Sequence, residues 1–294
     1  MKPPPFTYHA PATLDEALAL LAEYGNDAKP LAGGQSLVPA MNFRLAQPTV
    51  LVDLNRIESL FGIREGEDGA LTIGAMTRQR TVERSPLVGS HAPLIAETMP
   101  HIAHPQIRNR GTFGGSLAHA DPAAELPAVA VALDMALRAQ SGRGERWIPA
   151  RDFFLGLFET SLAPDELLTE VTVPPLPART GTAFEEAARR HGDYALAGAA
   201  TVVTLADDDT VADSRLVFLS IGDVPVESAS AARILQGQHP TTEAIRAAAE
   251  AVADDIAPLG DIHATAGYRR HLAKVLARRT LERAVARVSH PHAT

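Results

Sequence analysis

The chain has 294 residues, 46% of them hydrophobic and 21% charged, which is the composition of a soluble globular protein with room for about two domains. Its 27 lysines and arginines against 35 aspartates and glutamates leave a formal charge of −8, which excludes a broad basic field for nucleic acid. The absence of cysteine excludes disulfides, thiolate zinc sites, cysteine nucleophiles and an iron–sulfur cluster held by this chain, so redox chemistry would need a bound organic cofactor.

The sequence opens with a proline-rich segment, residues 1–10, that lacks the apolar run of a secretory signal. No later stretch has enough consecutive apolar residues to cross a bilayer. These two features predict a cytoplasmic protein without a membrane span.

The N-terminal sequence predicts a helix. A strand, a glycine turn, a short helix and a second strand are predicted to follow it. The helix covers 13–24, where Thr13 and Glu16 have the spacing of a capping box and Gly25 follows the last turn. Apolar runs and turn residues predict the other elements of this region: strand 29–32, helical turn 37–43, strands 49–54 and 70–74, and helices 77–84 and 93–103.

The next segment, 107–120, is too rich in glycine for a regular element to be predicted. It is followed by Asp121 and Pro122, a pair typical of a helix start with aspartate as N-cap and proline at the first helical position. The apolar run 123–133 then predicts a buried helix.

A proline cluster at 174–177 predicts a linker, after which the pattern changes. The β-rich runs 199–205 and 211–221 flank a polar turn and predict an antiparallel hairpin. Helices are predicted over 241–254 and 268–288. Residues 264–294 hold seven Arg or Lys and one acidic residue, which favours a helix with a solvated charged face over a docking surface.

Two Gly-Gly turns carry possible chemistry: AGGQS at 32–36, the first glycine loop, and TFGGS at 112–116, the second glycine loop. Each could simply be a tight turn, or each could bring backbone N–H groups and a serine hydroxyl close to an anion such as a diphosphate. Neither loop matches the dinucleotide fingerprint GxGxxG or the phosphate loop GxxxxGK[ST], so a Rossmann or nucleotide-hydrolysing function has little support.

The other polar residues near the second loop have more ordinary explanations. Asp121 can be a helix cap, and it can also accept a hydrogen bond from a ribose or ring hydroxyl. His101, His104 and His119 lack metal-ligand spacing, so no metal site is predicted. The sequence has no GxSxG or HExxH motif to support a hydrolase, and no catalytic residue is assigned.

Two longer segments contain the glycine loops: PLAGGQSLVPAMNFRLAQPTVLVDLNRI at 30–57 and QIRNRGTFGGSLAHADPAAELPAVAVALD at 106–134. Three further motifs follow in order: LLTEVTVP at 167–174, RRHGDYALAGAA at 189–200 and GYRRHLAKVLARR at 267–279. In these motifs the sequence resembles the flavin-binding medium subunit of the molybdenum hydroxylases, a family that includes bacterial carbon monoxide dehydrogenase and xanthine dehydrogenase.

This resemblance implies an α+β fold. Residues 1–177 are expected to form an FAD-binding domain of the vanillyl-alcohol-oxidase (PCMH) type, with subdomains of about 1–57 and 58–177 and FAD between them. Residues 178–294 are expected to form a small C-terminal domain of the carbon monoxide dehydrogenase flavoprotein type, with a three-stranded antiparallel sheet and helices.

The resemblance also implies which residues bind non-covalent FAD. In the family both glycine loops hold the diphosphate, an acidic residue follows the second loop, a leucine touches the ring system and one residue guards a flavin face. On this sequence these positions are Ala32, Gly33, Gly34, Gln35 and Ser36; Thr112, Gly114, Gly115 and Ser116; and Asp121, Leu168 and Tyr194. A core tyrosine of the C-terminal domain is the alternative for Tyr194.

The implied function is that of an electron-transfer subunit within a heterohexamer. A large subunit would carry the molybdenum cofactor and oxidise the substrate, a small subunit would carry [2Fe–2S] clusters, and this chain's FAD would deliver electrons to NAD, oxygen or a quinone. Two alternatives stay open: a flavin-free scaffold that keeps the fold, and a stand-alone flavin reductase.

Overall fold

The computed structural model describes residues 2–289; residue 1 of the predicted first domain and residues 290–294 of the basic tail lie outside the described residues. The N-terminal part is built on a parallel sheet with strand order β1-β3-β2. Its strands are β1 (Thr7–His9), β2 (Ala28–Leu31) and β3 (Val50–Asp53).

The first helix, α1 (Leu14–Tyr24), confirms the capping signals of the sequence. The Thr13 side chain accepts from the Glu16 backbone, the Glu16 carboxylate accepts from the Thr13 backbone, and Gly25 ends the helix at a φ of 51°. The buried face of α1 packs on β2 and β3. The glycine turn after β2 leads into the short helix α2 (Leu37–Asn42), as predicted.

The second sheet is antiparallel, with strand order β4-β5-β10-β6-β7. Its strands are β4 (Ile63–Glu65), β5 (Leu71–Gly74), β6 (Ala136–Ser141), β7 (Gly144–Pro149) and β10 (Leu167–Val173). A separate hairpin is formed by β8 (Phe154–Gly156) and β9 (Glu159–Thr160).

Short helices fill the long connection from β5 to β6, because repeated Pro and Gly prevent a longer one. They are α3 (Gln79–Glu83), α4 (Pro86–His91), α5 (Pro93–Thr98), α6 (Pro105–Arg108), α7 (Phe113–His119) and α8 (Glu125–Ala132). The predicted helix 93–103 is α5 continued by a 3₁₀ turn, Met99–His101. One further helix, α9 (Ala150–Phe153), follows β7.

Two predictions for the segment around the second glycine loop are wrong. The loop is not irregular: α7 contains both glycines and is capped by Thr112, whose Oγ1 accepts from the Gly115 backbone at 3.1 Å. Asp121 does not cap the following helix, since α8 begins at Glu125. Its carboxylate instead accepts from the Ala123 backbone at 2.9 Å, which closes a local turn ahead of α8.

The C-terminal part has an antiparallel sheet with strand order β11-β12-β13-β14. Its strands are β11 (Thr180–Ala188), β12 (Ala195–Leu205), β13 (Val211–Leu219) and β14 (Val226–Glu227). The predicted hairpin is β12 and β13. The predicted three-stranded sheet is wrong by one strand within residues 2–289: β14, too short for a sequence pattern, pairs with the end of β13.

The helices of this part cover one face of that sheet. They are α10 (Ala229–Leu235), α11 (Thr242–Ala251) and α12 (Ala266–Ser289), and α12 packs on β11 and β12. Its basic face is partly exposed, as predicted, and also carries ion pairs, with Arg279 reaching Glu185 and Arg287 reaching Glu97.

The two parts share a core. The helix α8 is buried along its whole length and packs against β12 and β13, so the largest apolar cluster includes Phe184 and Leu219 together with residues of the second sheet. The predicted α+β class, with a larger first part and a smaller second part, is confirmed by the folded chain.

Candidate functional site

The two glycine loops lie against each other. A Cβ added at Gly33 would lie 2.4 Å from the carbonyl oxygen of Arg110, just before the second loop. A Cβ added at Gly115 would lie 3.3 Å from the Cβ of Ala32 and 2.4 Å from Thr112 Oγ1. Only glycine allows the backbones to approach this closely. The tertiary structure therefore joins two loops that the sequence presents as separate motifs.

The first glycine loop presents a row of unengaged donors. Among the described residues 2–289, no atom accepts a hydrogen bond from the backbone N–H groups of residues 33–36 or from the Ser36 hydroxyl. Gly34 has a φ of +72°, the left-handed conformation that turns successive N–H groups toward one side. Such a concave set of donors is suited to an anion.

The second glycine loop offers fewer free donors to an anion, since most of its backbone N–H groups already donate hydrogen bonds within the protein. Gly114 donates to the Ala75 carbonyl at 2.8 Å, and Gly115 donates to Thr112 Oγ1. A Cβ at Gly114 would lie 2.5 Å from that of Ala75, so this glycine lets α7 pack on the second sheet. The Ser116 hydroxyl has no partner within residues 2–289 and remains available to a ligand.

Two guanidinium groups lie beside the loops, and the sequence reasoning missed both. Arg78 donates to the Arg110 carbonyl at 2.7 Å. Burial, and then the nearby positive charge of Arg110, lowers the pKa of Arg78. An anion bound at the first loop would offset this repulsion. Arg78 is far from both loops in sequence and reaches them only through the fold, whereas Arg110 directly precedes the second loop but was not singled out as a binding residue.

Tyr194, the predicted guard of a flavin face, lies in the connection between β11 and β12. It exposes 66% of its surface, so the core role that was its alternative is excluded. Partial desolvation of the side chain, together with the negative charges of Asp121 and Glu125, raises the pKa of Tyr194. The tyrosine is therefore close to the acidic turn that follows α7, and most of its surface is open to solvent.

Glu125 belongs to a buried acidic pair with Glu186. Glu125 is 7% exposed, and burial and the neighbouring Glu186 carboxylate raise its pKa to about 8. The Oε2 atom of Glu186 is buried without a partner within residues 2–289, while Oε1 lies 3.6 Å from His101 Nδ1. Buried carboxyl groups that lack partners are candidates to bind N–H or O–H groups of a ligand. The sequence analysis did not single out Glu125, because this residue lies within the apolar run 123–133.

The remaining predicted residues are placed as follows. Gln35 folds back onto its own loop, donating from Nε2 to the Gly33 carbonyl at 3.2 Å. Leu168 is only 4% exposed within the main core, where α7 packs on β10. Its contact with a ring system stays a prediction, as does a hydrogen bond from a ligand hydroxyl to Asp121.

The histidines near the second loop do not converge. His119 lies 5.0 Å from the Phe158 ring, centroid to centroid, and burial lowers its pKa. Within residues 2–289, no three His, Asp or Glu side chains are arranged to hold a metal ion. None of the helices in this part of the chain has the length and hydropathy to span a membrane.

Two family models match the chain. Residues 4–176 match the FAD binding domain in molybdopterin dehydrogenase, and residues 182–284 match the CO dehydrogenase flavoprotein C-terminal domain. Together they cover both parts of the fold.

Individual relatives match over nearly their whole length. The chain is 45% identical to a 6-hydroxypseudooxynicotine dehydrogenase complex subunit alpha from Paenarthrobacter nicotinovorans, over 98% of this chain and 97% of the relative. A chain of carbon monoxide dehydrogenase from Hydrogenophaga pseudoflava superposes with a TM-score of 0.94 at 41% identity, covering 98% of this chain and 99% of that one. A chain of quinoline 2-oxidoreductase from Pseudomonas putida 86 gives 0.93 at 36% identity, covering 99% and 100%.

Proposed function

This chain belongs to the FAD-binding medium subunits of the molybdenum hydroxylases, and we propose that it passes electrons from iron–sulfur clusters of a partner chain to an external acceptor. The chain is thus an oxidoreductase subunit that holds FAD without a covalent bond. When bound, FAD supplies a ring system that takes up and releases electrons. The observation that carries the proposal is the row of unengaged N–H donors in the first glycine loop.

The donor set fits the chemistry of FAD. Four consecutive amides, residues 33–36, and the Ser36 and Ser116 hydroxyls supply neutral hydrogen bonds to a diphosphate, while Arg78 and Arg110 add positive charge. The residues of the predicted site that would hold the diphosphate are therefore the two glycine loops.

Tyr194 and the acidic residues near it suit the flavin ring system of FAD. The exposed ring of Tyr194 can cover one face of a planar heterocycle. Asp121, Glu125 and Glu186 supply acceptors for ribityl or ring N–H and O–H groups, and Leu168 of the main apolar core is the predicted neighbour of the ring system. These side chains would orient the ring and restrict the access of water and acceptors to it.

The partners follow from the family. A large subunit with a molybdenum cofactor would oxidise the substrate, a small subunit with [2Fe–2S] clusters would relay electrons, and paired assemblies would form a heterohexamer. The acceptor is NAD, oxygen or a quinone. Some NAD-reducing relatives have lysine near the flavin in the segment where this chain has Phe184, Glu185 and Glu186, so the acceptor is the open part of the proposal.

The division of the chain is likewise proposed, with an FAD-binding domain over 1–177 and a C-terminal domain over 178–294. The spans of the two family models, 4–176 and 182–284, support a boundary in the proline cluster. The FAD-binding part would have subdomains of about 1–57, with the parallel sheet, and 58–177, with the antiparallel sheet.

Purification of the native protein from its own cells tests the function. We expect a complex that contains flavin, molybdenum and iron, measured by visible absorbance and elemental analysis. A folded complex without flavin would support the scaffold alternative. A free flavin-containing monomer that oxidises NADH, with no molybdenum or iron co-eluting, would support the stand-alone reductase. A monomeric recombinant chain is compatible with the proposal, because its partners would be absent.

A further inference from the structure

A chain of side-chain hydrogen bonds connects the two glycine loops from outside both of them. Asn55 donates from Nδ2 to the Ala32 carbonyl in the first loop at 3.0 Å. Arg78 donates from Nη1 to the carbonyl of Arg110, which precedes the second loop, at 2.7 Å. Arg78 also donates from Nη2 to Asn55 Oδ1, which closes the connection. We refer to Asn55 and Arg78 as the inter-loop clip.

Asp53 holds the amide of Asn55 in the orientation that the clip requires. Its Oδ1 accepts from the Asn55 backbone at 2.9 Å and from the Asn55 side-chain amino group, and its Oδ2 accepts from the Tyr8 hydroxyl. Because the amino group of Asn55 is directed to Asp53 and Ala32, its Oδ1 atom is left to face Arg78. The end of β3 thereby fixes a side chain that is outside the predicted site.

Arg78 is held equally firmly. Its guanidinium lies over the Phe61 ring at 5.7 Å, and its backbone pairs with Thr112 at the cap of α7. Arginine has a planar guanidinium group, so its two terminal nitrogens can donate to two acceptors at once. In Arg78 these acceptors are the Arg110 carbonyl and Asn55 Oδ1. Lysine has the same charge but cannot form this pair of directed bonds.

We propose that the inter-loop clip is a positioning device: it sets the separation of the two glycine loops at the value that a diphosphate bridging them requires. This inference rests on the proposed FAD function. Neither clip residue is assigned a direct contact with FAD; apart from the positive charge of Arg78, both act through the loop carbonyls that they hold. The clip connects two parts of the fold, since the first loop follows β2 of the parallel sheet and the second loop lies in α7, which packs on the antiparallel sheet.

The test uses the full-length chain in its flavin-free form, with the substitutions Asn55→Ala, Arg78→Lys and both together. Dissociation constants for FAD are measured by quenching of flavin fluorescence, well below the melting temperature of each variant. We expect each single substitution to raise the Kd about tenfold. Because the residues act in series, the double variant should be no more than about twofold weaker than the worse single variant.

Arg64→Lys serves as the matched control. Arg64 lies on the second sheet, is exposed, and pairs with Glu170 away from the loops, so its conservative substitution should leave the Kd unchanged. A wild-type Kd for Arg78→Lys would mean that Arg78 acts only by its charge and would overturn the clip. Additive losses in the double variant would overturn it as well.

Amide hydrogen exchange distinguishes failure of the clip from failure of the FAD proposal. In the flavin-free chain, loss of the clip should speed exchange several-fold at Gly114 and Gly115, whose amides are bonded within the protein. Unchanged exchange in Asn55→Ala and Arg78→Lys would rule out the positioning role. A folded wild-type chain that binds no FAD would refute the proposed function, while this exchange measurement would still decide the clip.

Discussion

Ala32 lies directly against Gly115, with only 3.3 Å between the Ala32 Cβ and the position that a Cβ on Gly115 would take. This contact is one of the points at which the two glycine loops meet. A larger side chain on either loop would separate them and remove the approach that a bound diphosphate needs.

We therefore expect Gly34→Val and Gly115→Val to abolish FAD retention in a chain that still folds. Valine at Gly34 is strained by the φ of +72°, and valine at Gly115 meets Thr112 Oγ1 at 2.4 Å. The ratio of visible flavin absorbance to protein absorbance measures the occupancy. Gly89→Ala is the control, since Gly89 lies in α4 with no atom near its missing Cβ. Full occupancy in both valine variants would refute the loop assignment.

Tyr194 is expected to shield a flavin face through its ring and not through its hydroxyl. Tyr194→Ala should make the bound flavin several-fold more accessible to iodide quenching and should change its reduction potential. Tyr194→Phe should behave as the wild type, because phenylalanine keeps the aromatic ring and removes only the hydroxyl. If Tyr194→Ala leaves the spectrum, potential and acceptor kinetics unchanged, the residue is no part of the flavin site.

Glu125 makes stability depend on pH. Its pKa is about 8 in the fold against 4.5 for an ordinary glutamate, so the folded chain holds a proton that the unfolded chain releases. The free energy of unfolding should therefore fall as the pH rises from about 4.5 to about 8, by a few kcal/mol in total. Above that range this contribution is constant.

The variant Glu125→Gln removes this titration. In thermal unfolding of the flavin-free chain, it should melt near the wild-type temperature at low pH and above it at pH values near 8. Glu67→Gln, at an exposed loop position, is the control and should follow the wild type. Identical pH profiles for Glu125→Gln and wild type would contradict the buried, protonated state.

A bidentate ion pair fastens the last helix to the first domain. Arg287 donates to Glu97 at 2.6 and 3.2 Å and also to the Thr182 carbonyl at 2.6 Å. Arg287→Lys should lower the free energy of unfolding by about 1 kcal/mol, because lysine cannot make the paired hydrogen bonds. Unfolding curves in urea measure this difference. Arg278→Lys, whose pair with Glu282 is exposed and spans 3.9 Å, should have almost no effect.

Elements with local signals were predictable. The helix α1 is specified by a capping box whose hydrogen bonds join residues three apart, and the hairpin of β12 and β13 by two β-rich runs around a polar turn. Helix α7 was not predictable, because the cost of Gly114 and Gly115 in a helix is offset by packing on Ala75 and Ala32, which are distant in sequence.

The sequence by itself determined the glycine loops, the absence of thiol chemistry and the family motifs, since each depends on residue type and order alone. Only the tertiary structure decided that the loops form one site, that Asn55 and Arg78 connect them, and that Glu125 is buried beside Glu186. The physical reason is that close approach and desolvation arise between distant segments. No local pattern of residues encodes the distances that chain folding creates.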